Sequence, residues 1–324
     1  MKVLITGCAG FIGFHLAEKL IINKKYKTIF GIDNLNDYYD VTLKKRRLSI
    51  LRKHKNFKFS KIDISNNKTL LRHFKIYKYK YVIHLAAQAG VRYSILKPES
   101  YVKSNLVGFF NILECSKANN IKHLIFASTS SVYGSNKNFP LKEDFNTDKP
   151  LSFYAATKKS NEVMAHSYSY IYKLPCTGVR FFTVYGPFGR PDMALFKFTK
   201  NIINNQSIEL FNNGNHLRDF TYVDDIVDGI YSLIKRHSKK NIPYEIFNIG
   251  NGNPKKLKDY LKFIEKKLNS KAKVKKLPLQ IGDIFKTHSD ITKLKKYTKY
   301  KPKTNIEVGI SKFIEWYKDY YKLI

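Results

Sequence analysis

Short apolar runs alternate along this chain with segments that carry an apolar residue every three or four positions. A buried strand of a parallel sheet has the first pattern, and an amphipathic helix has the second. Their alternation predicts an α/β protein with a doubly wound parallel sheet, whose ligands bind beyond the carboxyl ends of the strands. The apolar runs lie at 3–6, 28–32, 57–62, 81–87, 123–126 and 177–182.

The regular alternation weakens after the run that begins at residue 177. Turn and polar residues gather at 183–193 and 218–225, and two amphipathic segments follow near 257–268 and 310–321. No internal repeat or low-complexity linker separates the two halves. We therefore predict a first domain at residues 1–180 and a smaller, interleaved C-terminal domain, mainly 181–324, with some segments returning to the first.

The first apolar run leads through a glycine-rich turn into a predicted helix. Gly7, Gly10 and Gly13 are spaced G-x-x-G-x-x-G, so the backbone can approach a pyrophosphate at the N-terminus of the helix, where N–H groups favour anions. Asp33 ends the second run, 20 residues after Gly13, where an acid suits the ribose hydroxyls of NAD and repels the phosphate of NADP. The alternatives are a tight turn without ligand and an acid that merely ends a strand. Together the two features predict NAD binding.

The ends of two further runs suit the same cofactor. Asp63 and Ile64 follow the third run, on the expected adenine side, and the small residues at the end of the fourth run, Ala86 and Ala87, would admit the cofactor backbone. We predict that the following residues bind the cofactor: Gly7, Gly10, Phe11, Ile12, Gly13, Asp33, Asn34, Asp63, Ile64, Leu85, Ala86, Ala87, Asn105, Tyr154 and Lys158.

A hydroxyl-rich loop, 128–131, follows the fifth run, and Tyr154 and Lys158 stand after it. Residues four apart share one face of a helix, and Ser152 can cap that helix. An ammonium beside a phenol favours the phenolate, so we expect Tyr154 to act as a base nearer neutral pH than a free tyrosine, whose pKa is about 10. The alternative is a surface tyrosine and lysine on an ordinary helix.

Three arginines stand out in a chain that has only nine. Arg92 follows the fourth run, and Arg190 and Arg218 lie in the polar loops that should border the ligand cleft. The planar guanidinium group suits phosphate and carboxylate. Each arginine could instead form a structural ion pair, for which Glu99 is the available acid near Arg92.

The composition limits the remaining classes of function. The net charge is +34, but the excess is nearly all lysine dispersed over 324 residues, which favours compositional bias over a nucleic-acid groove. No apolar stretch approaches the roughly 18 residues of a membrane span, and the first strand begins too near Met1 to leave room for a signal peptide. Cys8, Cys115 and Cys176 have neither disulfide nor zinc spacing. We expect a cytoplasmic protein with no metal, nucleic-acid or membrane partner.

Together these motifs resemble the extended short-chain dehydrogenase/reductase family, which has a Rossmann fold, across essentially the whole chain. Segments 33–40, 84–94 and 181–194 look more narrowly like the UDP-glucuronate 4-epimerases. Nucleotide-sugar dehydratases typically carry Asp-Glu, and related decarboxylases a glutamate, just before Val-Tyr-Gly, where this chain has Ser130-Ser131. UDP-galactose 4-epimerases generally have asparagine at the position of Thr183.

The resemblance implies NAD-dependent 4-epimerisation of UDP-glucuronate to UDP-galacturonate through a 4-keto intermediate. It implies a homodimer, a role in polysaccharide biosynthesis and a C-terminal domain that binds the nucleotide sugar. The catalytic residues would be Thr129, Tyr154 and Lys158. The alternatives are a UDP-glucose/UDP-galactose 4-epimerase and, outside enzymes, a non-catalytic NAD-binding regulator. The implied substrate-binding residues are Arg92, Ser130, Thr183, Arg190 and Arg218.

Overall fold

The structure is a computed structural model that describes residues 1–23, 25–278 and 284–323. A π-helical segment, Val102–Val107, leads directly into one of the α-helices, and 3₁₀ turns lie at Ser130–Tyr133 and Asn212–Gly214. The strands are β1 (Lys2–Thr6), β2 (Thr28–Asp33), β3 (Phe57–Lys61), β4 (Tyr81–His84), β5 (His123–Thr129), β6 (Cys176–Phe181), β7 (Thr183–Tyr185), β8 (Ser207–Phe211), β9 (Leu217–Arg218), β10 (Phe220–Tyr222), β11 (Tyr244–Ile249), β12 (Lys255–Lys256) and β13 (Lys273–Leu277). The α-helices are α1 (Phe11–Ile22), α2 (Val41–Arg52), α3 (Asn67–Tyr77), α4 (Tyr93–Leu96), α5 (Pro98–Tyr101), α6 (Gly108–Ala118), α7 (Phe153–Tyr172), α8 (Ala194–Ile203), α9 (Val223–Leu233), α10 (Leu257–Leu268), α11 (Thr292–Thr298) and α12 (Ile306–Tyr321).

Seven parallel strands form the central sheet, in the order β11-β6-β5-β4-β1-β2-β3. The chain builds β1 to β3 in one direction and then crosses back to add β4 beside β1. The strand order therefore reverses between β1 and β4, and in such sheets a crevice opens at the carboxyl ends of the strands on either side of the reversal. The predicted doubly wound parallel sheet is confirmed.

Apolar side chains from helices cover both faces of the sheet. One buried cluster includes Phe14 and Leu16 of α1, and the other includes Phe74 of α3 and Phe109 of α6. Leu16 and Leu20 of α1 are both buried and stand four residues apart, which is the spacing of an apolar helix face. Fully burying each such side chain contributes about 1.5–3 kcal/mol to the free energy of folding.

The second half of the chain is knitted into the first. Strand β11 extends the central sheet beside β6, with Tyr244 next to Cys176 and Ile249 next to Phe181. The other late strands form two-stranded sheets, β7 with β10, β9 with β12 and β8 with β13. The return of β11 agrees with the expected interleaving, while the domain bounds 1–180 and 181–324 stay a prediction.

Leu106, Phe109, Phe110 and Leu113 have helical spacing and predict a helix over 105–119, but the structure differs in the first turns of that segment. The structure has the π-helical segment there, followed by α6. The wider turn leaves the Asn105 carbonyl to accept a hydrogen bond from the Asn161 amide at 2.7 Å. Such segments occur as single turns within helices and often near functional sites. Hydrophobic spacing over a whole helix does not reveal one extra residue in a turn.

Three other expectations from composition can be compared with the fold. Cys8, Cys115 and Cys176 are buried and unbridged. None of the helices described in the structure is long and apolar enough to cross a membrane. Within residues 1–23, 25–278 and 284–323, no three or more His, Cys, Asp or Glu side chains are grouped so as to hold a metal ion.

Candidate active site

A cleft of about 980 Å³ lies at the carboxyl ends of the central strands, where the order reverses. It is open along one side and continues from the glycine turn to the loops of the second half. Of the predicted site residues, the following line it: Gly7, Gly10, Phe11, Ile12, Gly13, Asp33, Asn34, Asp63, Ile64, Leu85, Ala86, Ala87, Arg92, Thr129, Ser130, Tyr154, Lys158, Thr183, Arg190 and Arg218.

The glycine turn leaves the backbone bare at the start of α1. Gly7 has φ +73°, and a Cβ there would lie 2.7 Å from the Ala86 nitrogen. A Cβ on Gly13 would overlap the Gly7 carbonyl oxygen. Because Gly10 is the N-cap of α1 and has no side chain, the first N–H groups of the helix are left for a ligand. This arrangement fits a dinucleotide pyrophosphate.

Asp33 stands at the end of β2 beside this turn. Its carboxylate accepts hydrogen bonds from the backbone N–H of Ala9 at 3.1 Å and of Leu35 at 2.8 Å. Burial raises the pKa of Asp33 above its usual value, and the two amides and the charges of Lys44 and Arg47 offset only part of that rise. The acid is therefore fixed in orientation, and its contact with the ribose hydroxyls of NAD stays a prediction.

On the expected adenine side and at the back wall, the structure places the predicted residues at the cleft, with one exception. Asp63 accepts a hydrogen bond from the Asn34 amide at 3.3 Å. Asn105, in contrast, is buried and does not line the cleft: its side chain accepts from the Gln88 N–H at 2.8 Å and donates to the Gln88 carbonyl at 3.0 Å. Asn105 thus holds the backbone of the cleft wall, and direct cofactor contact is not available to it here.

Thr129, Tyr154 and Lys158 come together where β5 ends against α7. The helix begins as predicted, because the Ser152 hydroxyl accepts a hydrogen bond from the Ala155 N–H at 3.2 Å. Lys158 is buried and its Nζ donates to the Ala127 carbonyl at 2.9 Å. The hydroxyl of Thr129 and the phenol of Tyr154 face the same part of the cleft.

The pKa of Tyr154 does not follow the expectation from the sequence. Burial raises it above its usual value, and the Thr129 side chain and the Arg190 charge only partly offset that rise. Burial also lowers the pKa of Lys158 to about 8. The expected lowering by Lys158 is therefore wrong for the protein by itself: the ammonium is held by the Ala127 carbonyl, and desolvation outweighs the nearby positive charges.

The expected substrate side is built from long-range contacts. Arg190 forms a two-pronged ion pair with Asp192, at 3.0 Å from Nε and 2.5 Å from Nη2. Tyr38 donates a hydrogen bond to the same carboxylate at 3.0 Å. The Arg92 guanidinium lies 4.8 Å from the ring centre of Phe211.

Thr183 and Arg218 are placed by neighbouring strands. The Thr183 N–H donates to the Asp219 carbonyl at 3.0 Å, where β7 runs beside β10. Arg218 of β9 donates to the carbonyls of Leu217 and Phe285 at 3.2 and 3.1 Å. Ser130 follows Thr129 in the hydroxyl loop. All of them border the same cleft as Tyr154.

Arg47 is a functional candidate that the sequence reasoning missed. It is fully buried, and its guanidinium donates to the carbonyls of Ala9 and Phe188, each at 2.7 Å. It thereby joins the glycine turn to the loop that carries Arg190. The sequence does contain a sign that Arg47 is buried: it stands four residues after Leu43 and four before Leu51, on the buried face of α2.

Comparisons with known proteins agree with this geometry. Residues 3–250 match the model of the NAD dependent epimerase/dehydratase family. The chain is 51% identical to Protein CapI of Staphylococcus aureus, over 99% of this chain and all of that protein. It is 43% identical to the probable UDP-glucuronate 4-epimerase of Rhizobium meliloti, over 99% and 98% of the two chains. A crystal structure of UDP-glucuronic acid 4-epimerase from Bacillus cereus, with UDP-glucuronic acid and NAD, superposes with a TM-score of 0.93 at 34% identity, over 99% and 100%.

Proposed function

The chain belongs to the NAD dependent epimerase/dehydratase family, and we propose that its reaction is the NAD-dependent 4-epimerisation of UDP-glucuronate to UDP-galacturonate. The observation that carries this proposal is the placement of Thr129, Tyr154 and Lys158 in one cleft with the glycine turn on one side and Thr183 and the arginines on the other. Proteins named as UDP-glucuronate 4-epimerases match nearly the whole chain. The predicted cofactor, NAD, is the cofactor of this family.

Tyr154 is the group that would remove the proton from the sugar 4-hydroxyl. The chemistry that NAD would supply when bound is reversible hydride transfer: it would accept the hydride that leaves C4 and return it to the other face, and its positive charge would favour the phenolate. Thr129 lies beside Tyr154 and would relay the proton, while Lys158 holds the helix to the end of β5. A positioned base of this kind contributes about 10²–10⁴-fold to a rate. The sugar then turns within the cleft before C4 is reduced on its other face.

The 4-keto intermediate of a uronic acid is a β-keto acid, which loses carbon dioxide if the bond to its carboxylate aligns with the carbonyl π system. The protein must therefore hold the carboxylate out of alignment. Thr183 and Ser130 are the hydroxyl donors on the sugar side of the cleft, and Arg190 supplies a charge there. Donors to a carboxylate fix its charge and its orientation together. Arg218 and Arg92 would bind the pyrophosphate and the nucleotide of the substrate.

The homodimer stays part of this proposal. Large apolar side chains are exposed on two helices that pack against each other, Phe110 at 45% on α6 and Val163 and Ile171 at 57% and 59% on α7. Apolar patches of this kind mark interfaces. Val163→Glu should shift the protein towards the monomer in light scattering, whereas Ile22→Glu, at an exposed apolar position on α1, should not. Cytoplasmic location and a role in polysaccharide biosynthesis also stay predictions.

Product analysis tests the reaction. Purified protein is incubated with UDP-glucuronate and no added reductant, and the products are resolved by NMR. UDP-galacturonate should form, and Tyr154→Phe should abolish its formation while the fold and the bound NAD are kept. Interconversion of UDP-glucose and UDP-galactose, with UDP-glucuronate untouched, would replace the proposal by the other epimerase and remove the carboxylate role from Thr183.

A further inference from the structure

A buried ion pair lies one helical turn beyond the proposed catalytic residues. Arg180 of β6 donates to the Glu162 carboxylate from Nε and from Nη2, both at 2.8 Å. The two side chains are only 4% and 5% exposed. The same carboxylate accepts a third hydrogen bond from the Ser128 hydroxyl at 2.6 Å, and Ser128 is 2% exposed.

These contacts join α7, the helix that carries Tyr154 and Lys158, to successive residues at the end of β5. Tyr154, Lys158 and Glu162 are each four residues apart, so they lie along one face of α7. Lys158 bonds the Ala127 carbonyl, Glu162 bonds the Ser128 hydroxyl, and Tyr154 faces the next strand residue, Thr129. Lys158 and Glu162 therefore tie α7 to the two strand residues that directly precede Thr129.

Arg180 anchors the carboxylate to the neighbouring strand. In the register of β5 and β6, Ser128 lies beside Arg180, so both partners of Glu162 come from adjacent positions of the sheet. Arg180 also stacks 4.8 Å from the ring centre of Tyr133 and donates to the Glu143 carbonyl at 3.2 Å. The carboxylate therefore has little freedom to move with the helix.

Stability alone does not explain this arrangement. Removing two charges from water costs several kcal/mol per ion, and well-packed apolar residues in place of a buried pair are often neutral or stabilising. An ion pair with fixed hydrogen-bond directions defines a position more sharply than apolar contacts do. Resting on the reaction proposed above, we propose that Glu162, held by Arg180, positions Thr129 against Tyr154 through its hydrogen bond with Ser128.

Ser128→Ala tests the link and leaves the ion pair intact. If Thr129 drifts from Tyr154, kcat for UDP-glucuronate should fall about tenfold, as for a loss of about 1.4 kcal/mol in the transition state. The KM and the bound NAD should not change, because the contact is not to substrate or cofactor. The Thr129 side chain lowers the pKa of Tyr154, so the acidic limb of the kcat/KM profile should move to higher pH.

Ser169→Ala is the matched control. Ser169 is a fully buried serine on the same helix, and its hydroxyl donates to the Leu174 carbonyl at 2.8 Å, away from the cleft. The melting temperature should fall by a similar amount in both variants. Only Ser128→Ala should lower kcat and shift the pH profile. Unchanged kcat in Ser128→Ala, or an equal fall in Ser169→Ala, overturns the positioning role. An unmodified protein that does not epimerise UDP-glucuronate would instead overturn the proposed function.

Discussion

Backbone groups form most of the proposed cofactor side of the cleft, whereas charged side chains order its proposed substrate side. The cofactor side consists of the glycine turn, Asp33 and the ends of β3 and β4, and its N–H groups come from residues close together in sequence. On the substrate side, Arg190 depends on Asp192 and, through it, on Tyr38. The difference implies that changes on the first side affect NAD binding, while changes on the second affect substrate binding and product identity.

Lys158 lies between the two sides of the cleft. Of the substitutions considered, its replacement should have the largest effect on kcat. Lys158→Met should lower kcat by about 10²–10⁴-fold, because the ammonium beside the reacting groups is lost. It should also stabilise the fold by on the order of 2 kcal/mol at pH 7, since burying this cation lowers its pKa from 10.5 to about 8, and the lost hydrogen bond offsets only part of that cost.

The sign of the stability effect can be checked against pH. Below pH 8 the lysine is protonated in both states, and the folded state bears the whole cost of burying the charge. Between about pH 8 and 10.5 the folded state releases the proton and the cost shrinks. Urea unfolding should therefore show a smaller difference between Lys158→Met and the unmodified protein at pH 9 than at pH 7. If Lys158→Met were less stable than the unmodified protein at pH 7, burial of the Lys158 charge would not destabilise the fold as expected.

Asp33→Asn should act on the cofactor side alone. Loss of the carboxylate should weaken NAD binding by at least about 100-fold, since two hydrogen bonds to a charged group contribute about 3 kcal/mol or more. Discrimination against NADP should shrink as well, because the charges of Lys44 and Arg47 then lack their acid. Cofactor release on dialysis measures the first effect and titration with NADP the second. Equal weakening of UDP binding would remove the distinction between the two sides.

Arg190→Gln should act on the substrate side with a smaller effect. The KM for UDP-glucuronate should rise about tenfold or somewhat more, since a charged hydrogen bond contributes about 1.5–3 kcal/mol. Bound NAD should be retained. Tyr38→Phe removes only the hydrogen bond to Asp192 and is the graded control, so its KM should rise several-fold less. A Tyr38→Phe effect as large as that of Arg190→Gln would assign a direct role to the phenol.

Thr183→Val should change the product more than the rate. Loss of one neutral hydroxyl costs about 1 kcal/mol, which corresponds to roughly a fivefold shift of the intermediate from epimer towards decarboxylated product. Nearly equal volume and the backbone bond to Asp219 should keep the strand in place. NMR of the product mixture gives the ratio. An unchanged ratio would exclude Thr183 from holding the carboxylate.

The site residues that the sequence could single out, and that the structure places in one cleft, belong mostly to local patterns. Gly7 to Gly13, Asp33 and the pair Tyr154/Lys158 are read within one turn or one βα unit, where spacing determines geometry. The ties of Arg47 to Phe188 and of Tyr38 to Asp192 join residues more than 140 positions apart. No periodic pattern encodes such a pair, and the burial that raises the pKa of Tyr154 is likewise a property of the packed cleft.

The place of β11 in the sheet has a consequence for synthesis on the ribosome. Strand β6 is buried along its whole length, but its outer neighbour is made only when the chain reaches residues 244–249. Until then the N–H and C=O groups on the outer side of β6 are unpaired. Such an edge can pair with other nascent chains. Fragments that stop before residue 244 should consequently aggregate, whereas the chain gains protection once β11 has emerged.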